Sequence, residues 1–149
     1  MEQVVATVRD LFKDVHAKLR DEVRGMDAAA LNWAPGPETN SAAVLVVHTL
    51  GSEAEILRVS SNTPSERNRD AEFVSEAATP EELVRRLDAA DALLDELGPK
   101  IGAEDLEAER PRGTRAPEQV RWMLVTNYGH AREHQAHIEL TRQLYAARG

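Results

Sequence analysis

Residues 2–25, EQVVATVRDLFKDVHAKLRDEVRG, carry Val4, Val8, Leu11, Val15, Leu19 and Val23 at steps of three and four residues. That period gathers the six apolar side chains into one stripe of a helix and leaves the charged residues to the rest of its circumference. Gly25 ends the helix. The residues that follow, GMDAAALNWAPGPETN at 25–40, hold two prolines and two glycines and read as a connecting loop with one short turn.

Three further helices are legible downstream. The second opens at Asn40 or Ser41, whose side-chain oxygens suit the free N–H groups of a first turn, and continues through AAVLVVHTLGSEAEILRVSS to Ser61. Thr79-Pro80-Glu81-Glu82 starts the third, with a capping residue, proline at the first helical position and acids at the positive end of the dipole. Leu83, Leu87, Ala90, Leu94 and Leu97 carry its apolar side to Gly98-Pro99. Pro117 opens the last helix, which runs to Ala146. Residues 62–78 form a polar connection with one helical turn near Glu72, and residues 100–114 form a second polar connection.

Helix formers dominate, aromatic residues are only 4%, and no strand pattern intervenes. Four amphipathic helices in one chain predict an all-α four-helix bundle. The long connections at 62–78 and 100–114 are able to cross an end of that bundle, so up-down-up-down order is not required. At 149 residues the chain predicts a single domain over residues 1–149.

Composition narrows the function. Hydrophobic residues make up 42%, enough for a core, and the net charge of −8 with no basic stripe argues against nucleic-acid binding. Without cysteine there are no disulfides, thiolate metal sites or cysteine nucleophiles. The first residues lack the apolar stretch of a signal peptide, and the longest apolar run, Ala42 to Val47, is far short of a membrane span. A cytoplasmic protein with no membrane partner is expected.

The five histidines, His16, His48, His130, His134 and His137, carry the chemistry. His130 and His134 are four apart on the last helix and project from one face, a spacing that lets two imidazoles ligate one ion. His48 lies within VLVVHTL, on the core side of the second helix. An imidazole inside a bundle costs desolvation energy unless it is hydrogen-bonded or ligated. Two helices that each bring histidine inward predict a divalent metal site on His48, His130 and His134, in the place where bundles build such sites. Three neutral nitrogens leave a position open, which is the ligand count of a catalytic centre. Imidazole suits zinc, nickel, iron and copper alike, so ligand type leaves the metal open.

His130-Ala131-Arg132-Glu133-His134 also fits the H-x-x-E-H protease pattern, with Glu133 as base. That pattern needs a further acidic ligand far downstream, and 15 residues follow His134. Glu133 is therefore read as a surface acid or an outer partner. His137 reads as a hydrogen-bonding or packing residue beside the site, and His16 as a boundary residue with no role. Arg58, Arg132 and Arg142 lie on the helices that carry the histidines and read as solvated surface arginines.

Leu31-Asn32-Trp33-Ala34-Pro35, then Asn40-Ser41 opening a helix that contains His48, resembles the DinB-like family of helical bundle proteins. Tyr128-Gly129-His130-Ala131-Arg132-Glu133-His134-Gln135-Ala136-His137-Ile138 is similar to that family's closing H-x-x-x-H segment. The two stretches cover roughly residues 30–60 and 116–145. The resemblance implies a four-helix bundle of unusual connectivity, commonly a homodimer, with one divalent metal on His48, His130 and His134; of zinc, nickel and iron, zinc is favoured. His137 stands where many members have glutamine, which leaves the triad intact.

The resemblance further implies a metal-dependent transferase using a low-molecular-weight thiol of the mycothiol or bacillithiol type, acting on a small-molecule substrate. An open metal position would hold such a thiol as thiolate at neutral pH. The same position in a hydrolase would activate water, and a closed ligand set would suit a non-catalytic metal-binding interaction module. Apolar residues beyond one core face, namely Val46, Leu50 and Leu57 on the second helix with Trp122 and Val125 on the fourth, predict a surface patch for the dimer.

Overall fold

The computed structural model describes residues 1–149. Four long helices, α1 (Gln3–Arg24), α3 (Ala42–Ser60), α5 (Pro80–Leu97) and α7 (Val120–Ala147), enclose one cluster of 29 buried apolar residues. Three short helices lie in the connections: α2 (Ala28–Leu31), α4 (Arg69–Glu72) and α6 (Ala103–Glu107). Between α6 and α7 a two-stranded antiparallel ribbon pairs β1 (Glu109–Arg110) with β2 (Glu118–Gln119), Arg110 opposite Glu118.

Both α1 and α3 pack on α5 and α7, so the first two long helices occupy opposite corners of the bundle. Crossings of an end are therefore made by residues 25–41 and 98–119. The 62–78 segment was expected to be able to cross; it joins neighbours instead, and its short helix α4 packs on α3.

Local chemistry explains the helix starts. Ser41 Oγ accepts from the Val44 N–H at 3.1 Å, and Asp27 and Asn68 cap α2 and α4 in the same way. Thr79 makes no side-chain cap bond, and the fixed φ of Pro80 opens α5. The last helix begins at Val120 rather than Pro117. Residues 118–119 are drawn into the ribbon, and the Val120 N–H donates to the Ala108 carbonyl at 3.0 Å.

The buried stripe of α1 is Val5, Val8, Phe12, Val15, His16, Leu19 and Val23. Leu11 is exposed and Val4 only half-buried, so the expected stripe is corrected by about one residue in its first half. Steps of three and four allow two neighbouring apolar stripes on a helix of 3.6 residues per turn, and packing places Val5 and Phe12 in the core.

Val46, Leu50 and Leu57 are buried inside the chain, because α3 is covered by α5, α7 and α4 on different sides. Of the expected dimer patch only Trp122 and Val125 are exposed. His16 is not a boundary residue: it is fully buried, with Nδ1 2.7 Å from Asp91 Oδ1 on α5 and Nε2 2.8 Å from Glu53 Oε2 on α3. It ties three helices through the middle of the bundle. No helix is long and apolar enough to cross a membrane.

Candidate metal centre

His48 on α3 and His130 and His134 on α7 converge, with one ligand nitrogen from each ring within 4.8 Å of the others. Ring centroids lie 5.2 Å (His48–His130), 5.1 Å (His48–His134) and 4.4 Å (His130–His134) apart. α3 packs on α7, which brings the middle of one helix against the middle of the other. One helical turn then sets His134 above His130 on the same face.

The donor set fits a divalent ion. Nε2 of His130 faces Nε2 of His134 at 3.0 Å. Metal–nitrogen bonds of about 2.0–2.1 Å separate two ligand nitrogens by about 3 Å. His48 Nδ1 lies 3.1 Å from Glu72 Oε1, so this nitrogen carries the proton and donates, leaving Nε2 as the lone-pair atom. His134 Nδ1 lies 3.3 Å from His137 Nδ1, and the buried Nδ1 of His130 has no protein partner.

Burial is the largest influence on all three rings and lowers their pKa values. His134 is pushed down to about 4, by burial first and then by His130, His48 and His137. His130 is lowered by burial, His48 and Arg112. For His48, burial outweighs the opposing pull of Glu72. At neutral pH all three rings are uncharged and offer lone pairs, the form that metal binding requires.

Glu72, on α4, is fixed from behind. Arg67 Nε donates to its Oε2 and Arg67 Nη2 to its Oε1, both at 2.9 Å. Arg67 Nη1 donates to Glu55 Oε2 at 2.8 Å, which also accepts from Arg112 Nε at 2.6 Å. Phe73 packs on the His48 ring at 4.9 Å between centroids. This chain of alternating charges holds the orientation of His48.

His137 is exposed and stands beside His134, outside the three-residue group. Glu133 is exposed and bonds to none of the three histidines. Arg58, Arg132 and Arg142 pair with Glu66, Gln135 and Glu22 respectively, away from the triad. The arginines that do stand beside it, Arg67, Arg69, Arg112 and Arg115, come from the segments 62–78 and 98–119 between the long helices. Sequence reading missed them, and Glu72 with them. The signal available was the density of arginine in Arg67-Asn68-Arg69 and Arg110–Arg115, within segments otherwise read only as links.

Residues 6–138 match the sequence pattern of the DinB superfamily. The crystal structure of a conserved protein from Enterococcus faecalis superimposes with a TM-score of 0.81 at 16% identity, covering 99% of this chain and 100% of that one. A DinB-like protein from Bacillus subtilis superimposes with a TM-score of 0.71, also at 16% identity, covering 99% and 95%. At this identity the likeness establishes the fold. No curated protein matches the chain.

Proposed function

The chain belongs to the DinB superfamily, and we propose that it is a metal-dependent transferase that presents a low-molecular-weight thiol, of the mycothiol or bacillithiol type, to a small electrophile. The observation that carries this reading is the triad itself: three neutral imidazoles from two helices, with ligand atoms within 4.8 Å. His48, His130 and His134 would hold a divalent ion, zinc favoured over nickel or iron, which would supply a Lewis acid able to lower the pKa of a thiol.

The protein's own groups do the rest. Glu72 holds the Nδ1 proton of His48 and so keeps Nε2 turned toward the other two rings. His137 Nδ1 stands within hydrogen-bonding reach of His134 Nδ1, where a proton donated by His134 would leave its Nε2 lone pair free. Phe73 covers one face of the His48 ring against water. With no cysteine in the chain, the sulfur of such a reaction comes from the small thiol. The exposed position of Glu133, without a bond to any of the three histidines, argues against its acting as a protease base. We read the protein as a cytoplasmic homodimer, supported by the exposed Trp122 and Val125.

Cobalt-substituted protein tests the reading. Addition of mycothiol, bacillithiol, glutathione or coenzyme A should give, for one of them, a sulfur-to-cobalt charge-transfer band. His48→Ala should abolish both band and turnover, whereas Glu133→Gln should leave them nearly intact. If no thiol produces the band while an ester or amide is hydrolysed without one, the transferase reading fails and a hydrolase replaces it.

A further inference from the structure

We infer that the cleft beside the histidine triad is a binding site for an oxyanion, a carboxylate or phosphate group carried by the small molecule that reacts there. The cleft encloses about 330 Å³ and is lined by His48 and His130 together with Arg67, Arg69, Arg112 and Arg115. A smaller cavity of about 190 Å³ opens on the same four arginines. Such a concentration of guanidinium groups runs against a chain whose net charge is −8.

The four are not equivalent. Arg67 and Arg112 are half-buried and compensated: Glu55 bridges them, Glu72 takes the remaining face of Arg67, and Ser52 Oγ accepts from Arg112 Nη2 at 2.9 Å. With Glu55 and Glu72 they form a fixed, charge-balanced floor. Arg69 and Arg115 make no ion pair with any carboxylate, although Glu118 lines the same cleft. Arg69 is seated over the Phe73 ring at 4.9 Å. Arg115 rides on the loop between β1 and β2 and lines the cleft from there.

Arg69 and Arg115 are the two like charges of this cleft left without a carboxylate partner, and an oxyanion supplies the missing negative charge while matching the planar fork of guanidinium donors. An anion bound there would stand next to His48 and His130, so its ligand has a charged end on the arginines and a reacting end at the triad. The inference rests on the metal-centre reading for that second end only; the anion site depends on the arginines.

Calorimetry and Trp122 fluorescence test it, because Trp122 lines the cleft. Metal-free and zinc-loaded protein are titrated at low ionic strength with inorganic phosphate and with succinate, against chloride at matched ionic strength. Saturable binding of phosphate or succinate to the metal-free protein is expected, the better of the two identifying the group carried by the ligand. The Arg69→Gln/Arg115→Gln double variant should weaken it about tenfold or more, the loss of charge-assisted contacts, with zinc stoichiometry unchanged. Binding of neither anion beyond chloride, or equal binding by the double variant, overturns the inference even if zinc still binds. If zinc fails to bind while phosphate or succinate still saturates the metal-free protein, the metal reading falls and the anion site stands.

Discussion

Gly51 leaves the space that Glu72 occupies. A Cβ added at Gly51 would stand 2.7 Å from Glu72 Cδ and closer still to Oε2, so only a residue without a side chain lets α4 press its carboxylate against α3. That carboxylate is the one that holds His48 Nδ1. The glycine is a condition for the orientation of the His48 imidazole one turn away.

Gly51→Ala should therefore displace Glu72 and lower zinc affinity by about 10–100-fold, the usual cost of losing the outer partner of a ligating histidine. Glu72→Gln should lower it in the same direction. Competition with a chelator of known affinity reads both. Gly129→Ala is the control: nothing lies within 4 Å of its added Cβ, so zinc affinity should stay constant while stability rises by about 1 kcal/mol.

The histidines should give the stability of the metal-free protein an acid limb and an alkaline limb on either side of the ordinary imidazole pKa of 6.5. His48, His130 and His134 have folded pKa values below the ordinary 6.5, with His134 near 4, so below pH 6.5 the unfolded chain binds protons that the folded protein refuses. Stability is lost as pH falls through that range. His16 has the opposite sign: burial opposes its charge, but Glu53 and Asp91 together outweigh burial and raise its pKa above 6.5. Its contribution is complete below pH 6.5 and lost as pH rises through the folded value. Burial raises Glu53 too, which gives a loss of stability with rising pH from 4.5 upward, in the same sense as His16. Denaturant unfolding between pH 4.5 and 9 in chelator checks this. His16→Gln should flatten the alkaline side, and His134→Gln should flatten part of the acid side.

Ser41→Ala removes the oxygen that accepts from the Val44 N–H at the start of α3. A loss of about 1 kcal/mol of unfolding free energy is expected, measured by urea denaturation. Zinc affinity should hold, because His48 lies well inside the helix.

Sedimentation at micromolar concentration should give twice the 16.5 kDa chain mass. Val125→Asp should shift the protein toward monomer, since it places a charge on an exposed apolar position of α7. A monomer for the unmodified protein contradicts the homodimer.

The triad was legible because helical period fixes direction: spacing alone sets His130 and His134 on one face, and the apolar run around His48 turns that ring inward. The four long helices were legible for the same reason. Phe12 replacing Leu11 in the core shows the limit, since a stripe of steps of three and four admits two neighbouring solutions and packing chooses between them. His16 looked unremarkable because its partners, Glu53 and Asp91, lie 37 and 75 residues away. Glu72 and the four cleft arginines lie in connections with no period to read, and only the seating of α4 on α3 and of the β1–β2 ribbon beside α7 brings them to the site.

Zinc K-edge X-ray absorption on protein loaded with one equivalent of zinc reads the centre most directly. Three imidazole nitrogens from His48, His130 and His134 at about 2.0–2.1 Å, with one exchangeable oxygen ligand, is the predicted first shell, and His48→Ala should reduce the imidazole count. A closed shell of four imidazoles that includes His137, or zinc bound without imidazole scattering, would contradict an open three-histidine centre.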